Sequence, residues 1–255
     1  MNLQTVIDAI WECKQQGIYY PQEWRGKFGV DDGYRIQLGI LSKQVSAGDV
    51  HVGWKVGLTA KAIQDQVHFH ERVFGYLLES GSLASGAIIP FDDLVAPSFE
   101  TELCVTLGRK LKGPGVTPRE AREALVSVAP ALELVEKRGD FAADPPLSMA
   151  DNVQQKFFIT GPEVKLTDSE SDLRAATVEI FINGEMMDQA NGDAVMDGPA
   201  ASVAWLANAL SRFDFQLEEG CRVLTGSFTK QFPVAQGDLA EAHFTPYGTV
   251  TAEFS

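Results

Sequence analysis

The hydrophobic patterning of this chain changes character near Val52, and the change points to a fold that begins with helices and continues mainly as a sheet. Before that point Leu3, Val6, Ile7, Ile10 and Trp11 recur at three- and four-residue intervals, the spacing that lines one face of an amphipathic helix. Asp31 can cap a second helix that carries Tyr34, Leu38 and Leu41. Beyond Val52, Gly53, Gly57, Gly75, Gly81, Gly86 and Gly108 punctuate short apolar runs, as expected of strands joined by tight turns. Thr117-Pro118-Arg119-Glu120 is a capping box with proline at the first helical position, and Ala121, Ala124, Leu125 and Val128 are expected as that helix's buried face. Thr177 to Ile182 alternates and runs into Asn183-Gly184, a two-residue hairpin signal. Val203, Leu206, Ala207 and Leu210 mark another helix, and the segment from Arg222 to Phe254 reads as strands with turns at Gly237-Asp238 and Tyr247-Gly248. The expected class is α+β, a mixed sheet with a helical region over residues 1–50.

Charge narrows the function classes. Thirty-five acidic residues against 21 basic ones give a formal charge of −14, a field that repels phosphate backbones and anionic lipid, so no nucleic-acid or membrane partner is expected. An anionic small substrate would be repelled too, unless a local cation such as a metal ion reverses the sign at its site. The three cysteines, Cys13, Cys104 and Cys221, have neither paired nor metal-type spacing. They read as buried thiols in a reduced, cytoplasmic setting. No basic leader precedes an apolar run, and no stretch of about 18 apolar residues is present to span a bilayer.

Across Phe99 to Leu107 the odd positions are mostly apolar and the even ones are Glu100, Glu102, Cys104 and Thr106. On a strand the two glutamates then share a face, roughly 6 to 7 Å apart, a distance from which two long side chains can converge on one cation. Glu133 stands inside the apolar run Ala131-Leu132-Glu133-Leu134-Val135, where burial requires a partner. The spacing alone leaves two readings open. The glutamates can line a solvated sheet face, with Glu133 paired to Lys137, or they can hold a hard cation such as magnesium or manganese through oxygen ligands. The four histidines, His51, His68, His70 and His243, lack zinc spacing.

Gly53-Trp54-Lys55-Val56-Gly57-Leu58-Thr59, followed by Gln64 and Phe74-Gly75, resembles the signature of the 2-keto-4-pentenoate hydratase and 4-oxalocrotonate decarboxylase family, within the fumarylacetoacetate hydrolase superfamily. Ordered matches continue through Asp32-Gly33-Tyr34-Arg35-Ile36-Gln37, Glu100-Thr101-Glu102, Pro130-Ala131-Leu132-Glu133, Ala150-Asp151-Asn152, Val203 to Asn208, Leu224-Thr225-Gly226-Ser227 and Gly237-Asp238. The resemblance implies a mixed β-roll over residues 51–255 with a lid near 60–75. It further implies Mg2+, with Mn2+ as the alternative, on Glu100, Glu102 and Glu133, and Lys55 as the catalytic proton-transfer group. Gln64, Asn152 and Ser227 are the implied substrate contacts. The implied partners are a small 2-oxo or 2-hydroxydienoate acid from the meta-cleavage of aromatic compounds, further copies in a homo-oligomer, and a pathway decarboxylase or hydratase.

The implied reaction is hydration of a 2-hydroxy-2,4-dienoate to a 4-hydroxy-2-oxo acid. The alternative is decarboxylation of 4-oxalocrotonate (2-oxo-3-hexenedioate); carbon–carbon hydrolysis through a His68/Glu71 pair and a structural role beside a partner enzyme rank below both. The sequence departs from its relatives at Val67 to Phe74, where they usually show a Gly-Val pair and a proline before the Phe-Gly. There it introduces Arg72. Pointing inward, its guanidinium would bind a second carboxylate and favour hydration of a dioate. Pointing outward, it would leave a pocket for a short monoacid.

Overall fold

The computed structural model describes residues 1–167, 172–195 and 197–255. The expected change of character is present. Helices α1 (Leu3–Gln15) and α2 (Val30–Ser46) come first, and β1 (His51–Gly57) opens the sheet region. Then follow α3 (Lys61–Val67), β2 (Val73–Leu78), β3 (Ser82–Ala84), β4 (Ala87–Ile89), β5 (Pro97–Leu107), α4 (Pro118–Ala124), β6 (Leu125–Glu136) and α5 (Pro145–Ala150). The chain continues through β7 (Gln155–Thr160), β8 (Val164–Lys165), β9 (Thr177–Ile182), β10 (Glu185–Asn191), α6 (Pro199–Ser211), β11 (Arg222–Leu224), β12 (Phe232–Pro233), β13 (Leu239–Thr245) and β14 (Gly248–Phe254).

The larger sheet runs β2-β1-β11-β5-β6-β7-β3, with β12 on β5 and β8 on β6. Its two outermost strands, β2 and β3, are joined by a single turn, Glu79–Gly81, so the sheet must curl until its edges meet. Arg222 on β11 donates to Ser82 Oγ on β3 at 3.0 Å, a contact across the roll between strands four places apart in the sheet. Curling gives β5 two buried faces. Its odd residues Phe99, Leu103, Val105 and Leu107 join a core that includes Val178 and Ile180 of β9, Ala240, Ala242 and Phe244 of β13, and Val250, Ala252 and Phe254 of β14. The even residues turn into the roll, where Cys104 packs with Leu77, Ala131, Phe158 and Leu224. The second sheet, β10-β9-β13-β14-β4, covers the outside. Its β9–β10 hairpin turns at Asn183 and Gly184, with φ of 54° and 78°.

Helices α1 and α2 bury Val6, Ile7, Ile10, Ile36 and Ile40 in a smaller cluster with Leu147 and Ala150 of α5. Four local expectations are corrected. Gly29, not Asp31, occupies the N-cap of α2; Asp31 sits in the first turn, where its charge suits the helix dipole, and pairs with Arg212 at 2.7 Å. The capping box at Thr117 forms, but α4 stops at Ala124. Leu125 and Val128 are strand residues, because pairing β6 with β5 along its length buries more than another helical turn would. Glu133, being on a strand, has no Lys137 one helical turn away. Cys104 and Cys221 are buried, but Cys13 is partly exposed on α1.

Candidate metal centre

Register brings the three glutamates together. Glu100 on β5 lies directly opposite Glu133 on β6, and Glu102 is the next same-face residue on β5. One carboxylate oxygen from each lies within 4.8 Å of the others. Glu102 and Glu133 are fully buried and Glu100 is half-buried. The solvated-face reading of Glu-x-Glu therefore does not describe this strand.

Each carboxylate has a different holder. Gln231 Nε2 donates to Glu100 Oε1 at 2.9 Å, and the Gly226 backbone N–H donates to Glu102 Oε2 at 2.7 Å. Lys55 Nζ lies 3.1 and 3.4 Å from the two oxygens of Glu133. Among the described residues no donor reaches Oε1 of Glu102, although it is buried. A buried anionic oxygen without a partner is costly. Burial, reinforced by Glu133 and Glu100, raises the Glu102 carboxyl well above the usual range. Burial likewise pushes Glu133 up to about 7, against the pull of Lys55. A divalent cation with oxygen-ligand preference fits this donor set, because it supplies the charge that three crowded carboxylates lack.

Lys55 is buried, whereas a lysine at a strand end is ordinarily a surface charge. Burial works against its ammonium, but Glu133, Glu100 and Glu102 outweigh it and hold its proton above the usual lysine value. Bare backbone makes room for its stem. On β2, Gly75 pairs with Lys55, and a Cβ there would come within 3.3 Å of Lys55 Cε; one at Gly57 would come within 3.6 Å of Nζ. Gly75, directly opposite Lys55, thus leaves room for a long side chain between the strands. That signal was in the sequence, but it reads as turn chemistry until the strand pairing is known.

The other expected contacts are placed as follows. Ser227 follows the Gly226 N–H that holds Glu102; its Oγ donates to Thr101 O at 3.4 Å and accepts from Thr229 N at 3.4 Å, two long bonds. Gln64 on α3 is buried and donates to Leu58 O at 2.8 Å, bridging a residue with φ of 53°. Asn152 spends its amide on Tyr76, accepting from its N–H at 2.8 Å and donating to its carbonyl at 3.0 Å. Arg72 donates to Asp197 Oδ2 at 3.1 Å, with its side chain 11% exposed. His68 and Glu71 are exposed, and His70 Nδ1 lies 3.4 Å from Asp65. Sequence reasoning missed Gly226 as a holder of Glu102, and Gln231 as a holder of Glu100, because both come from the loop between β11 and β12.

The sequence profile of the fumarylacetoacetate (FAA) hydrolase C-terminal family matches residues 56–255. The chain is 34% identical to the 2-hydroxyhexa-2,4-dienoate hydratase of Comamonas testosteroni over 89% of its own length and 86% of that protein's. It is 31% identical to a 4-oxalocrotonate decarboxylase of Pseudomonas sp. strain CF600, covering 88% and 84% of the two chains. Its structure superposes on the 4-oxalocrotonate decarboxylase of Pseudomonas putida G7, solved with magnesium and adipate, with a TM-score of 0.91 at 29% identity, over 99% of this chain and 97% of that one. Among the described residues no helix is long and apolar enough to cross a membrane.

Proposed function

Since this chain belongs to the fumarylacetoacetate (FAA) hydrolase C-terminal family, we propose that it is a magnesium-dependent hydro-lyase that converts a 2-hydroxy-2,4-dienoate and water to a 4-hydroxy-2-oxo acid. The observation that carries the reading is the buried ammonium of Lys55 set beside three convergent carboxylates, one of which has an oxygen that no described donor satisfies. Glu100, Glu102 and Glu133 would hold the cation; manganese meets the same oxygen preference. Bound there, the cation supplies Lewis-acid stabilisation of the enolate form of a 2-oxo acid.

The chain's own residues account for the rest. Lys55 keeps its proton through its three acidic neighbours, so it can deliver that proton to a substrate carbon and take one back as the dienol becomes the 2-oxo acid. The apolar packing of Leu77, Cys104, Ala131, Phe158 and Leu224 beside it excludes bulk water and strengthens its electrostatic effect. Ser227, whose two bonds are both long, can turn its hydroxyl to a substrate oxygen, and Gln64 on α3 would border the substrate tail. Arg72 would border the tail as well, but its charge is already matched by Asp197, which favours a substrate with one carboxylate over a dioate.

Decarboxylation of 4-oxalocrotonate is the second reading, favoured by the likeness to the magnesium- and adipate-bound decarboxylase. It would use the same enolate stabilisation, with carbon dioxide leaving in place of water adding. Offering the purified protein 2-hydroxypenta-2,4-dienoate and 2-oxo-3-hexenedioate side by side with magnesium separates the two. A 4-hydroxy-2-oxo product from the first supports the hydro-lyase, whereas carbon dioxide from the second with no hydration of the first overturns it. Exposed His68 and Glu71 give no support to carbon–carbon hydrolysis.

A further inference from the structure

Asn152, Val153 and Gln154 form three consecutive left-handed residues without a glycine, with φ of 57°, 50° and 63°. Asparagine tolerates that region, but a β-branched valine is among the residues least suited to it. Such a turn persists only where its surroundings over-determine it. Here they do. Arg138, buried against Glu136 at 2.7 Å, spans both ends of the turn: it donates to Asp151 Oδ2 at 2.7 Å, to Asp151 O at 3.0 Å and to Gln155 O at 3.3 Å. Gln154 Nε2 donates to Tyr20 Oη at 2.7 Å and to Gly139 O at 2.8 Å.

The braced turn delivers one side chain to β2, the outermost strand of the larger sheet at that end. Asn152 satisfies both the N–H and the carbonyl of Tyr76, as a neighbouring strand would. Just before Tyr76, a Cβ on Gly75 would lie 2.8 Å from Asn152 Oδ1, 3.1 Å from Asn152 O and 3.3 Å from Lys55 Cε. Asn152 and the stem of Lys55 therefore share the space above one bare Cα. The polar atoms of the Asn152 amide are spent on Tyr76.

We propose that Asn152 is a positioning residue for Lys55, held in place by the strained, Arg138-braced turn so that the lysine stem is directed across Gly75 to Glu133. It replaces the expected substrate contact at Asn152, and it rests on the reading of Lys55 as the group that moves the proton. Neither a cation ligand nor a substrate group is touched by Asn152 in this role.

The test is a double-mutant cycle with Asn152→Ala and Lys55→Met. It is read as deuterium exchange at C3 of 2-oxopentanoate, which can enolise but has no alkene to which water could add, alongside magnesium affinity by titration. Asn152→Ala is expected to slow exchange roughly 10- to 100-fold, with magnesium affinity changed by less than about threefold. In the Lys55→Met background it should slow exchange no further, the signature of two residues acting as one unit. Asn152→Asp, which keeps the acceptor for Tyr76 N–H, should recover part of the rate and serves if the alanine variant folds poorly. Additive losses, or a loss that follows magnesium affinity, would overturn the proposal while leaving Lys55 its role. Unchanged exchange in Lys55→Met alone would remove the lysine's role and the proposal together.

Discussion

Glu102 has one oxygen on the Gly226 N–H and another that no described donor reaches, beside two further carboxylates. Replacing it by glutamine keeps the shape and the Gly226 hydrogen bond but removes an anionic ligand. Glu102→Gln should weaken magnesium binding roughly 100-fold, about 2.7 kcal/mol. It should leave the metal-free protein at least as stable, because a carboxyl whose ionised form is disfavoured by burial and by its neighbours gives way to a neutral amide. Calorimetric titration and thermal melts in chelator check both, and an unchanged dissociation constant removes Glu102 from the ligand set. Protonation gives a second residue-level prediction. Burial pushes Glu133 up to about 7, so below that pH a proton occupies the site and must be displaced. Magnesium affinity should fall as pH drops from 8 to 6, by up to roughly tenfold per unit for each proton displaced. A flat affinity over that range would mean that the carboxylates are already ionised.

At the scale of elements, the loop between β11 and β12 clasps the middle of β5. Thr225 and Phe228 donate backbone N–H groups to Leu103 O at 3.1 Å and Thr101 O at 2.9 Å, while Gly226 and Gln231 reach the glutamates between and beyond them. Gly226 has φ of 109°, and a Cβ on it would fall 2.3 Å from Oγ1 of buried Thr59. An alanine there must push the loop off the segment after β1. Gly226→Ala should cost about 1 to 3 kcal/mol in unfolding free energy and weaken magnesium binding roughly 10- to 100-fold. Denaturant melts and metal titration read the two effects separately. Lost stability with intact metal affinity would show that the Gly226 N–H does not set the position of Glu102.

For the molecule as a whole, the site costs stability until it is filled. The folded, metal-free protein holds a proton on Glu133 that the unfolded chain, with an ordinary glutamate value of 4.5, releases earlier. That group's contribution therefore turns against the fold as pH rises from 4.5 through about 7. A cation that displaces the proton reverses the penalty. Magnesium at about 100 times its dissociation constant should add about 2.7 kcal/mol, an increase in Tm on the order of 5 to 10 °C for a chain of this size. At a fixed magnesium concentration the increase should be larger at pH 8 than at pH 6. Equal increments at both pH values would detach the raised carboxylates from metal binding.

Elements whose signal is local were legible in the order of residues alone. The periodicity of Leu3 to Trp11, the Thr117 capping box, the Asn183-Gly184 turn and the alternation that puts Glu100 and Glu102 on one face all depend on residues a few places apart. The apolar run around Glu133 marked it as buried, and resemblance to relatives then joined it to the other two glutamates and picked out Lys55 by motif, with no geometry attached. Tertiary structure decided the rest, because the deciding contacts join residues far apart in sequence. Strand register sets Glu133 against Glu100, and the β1–β2 pairing gives Lys55 its path over Gly75. The same holds for Leu125 and Val128. Their spacing suits a helix as well as a strand, and only the long partner strand β5, buried on both faces once the sheet curls, made the strand the better burial.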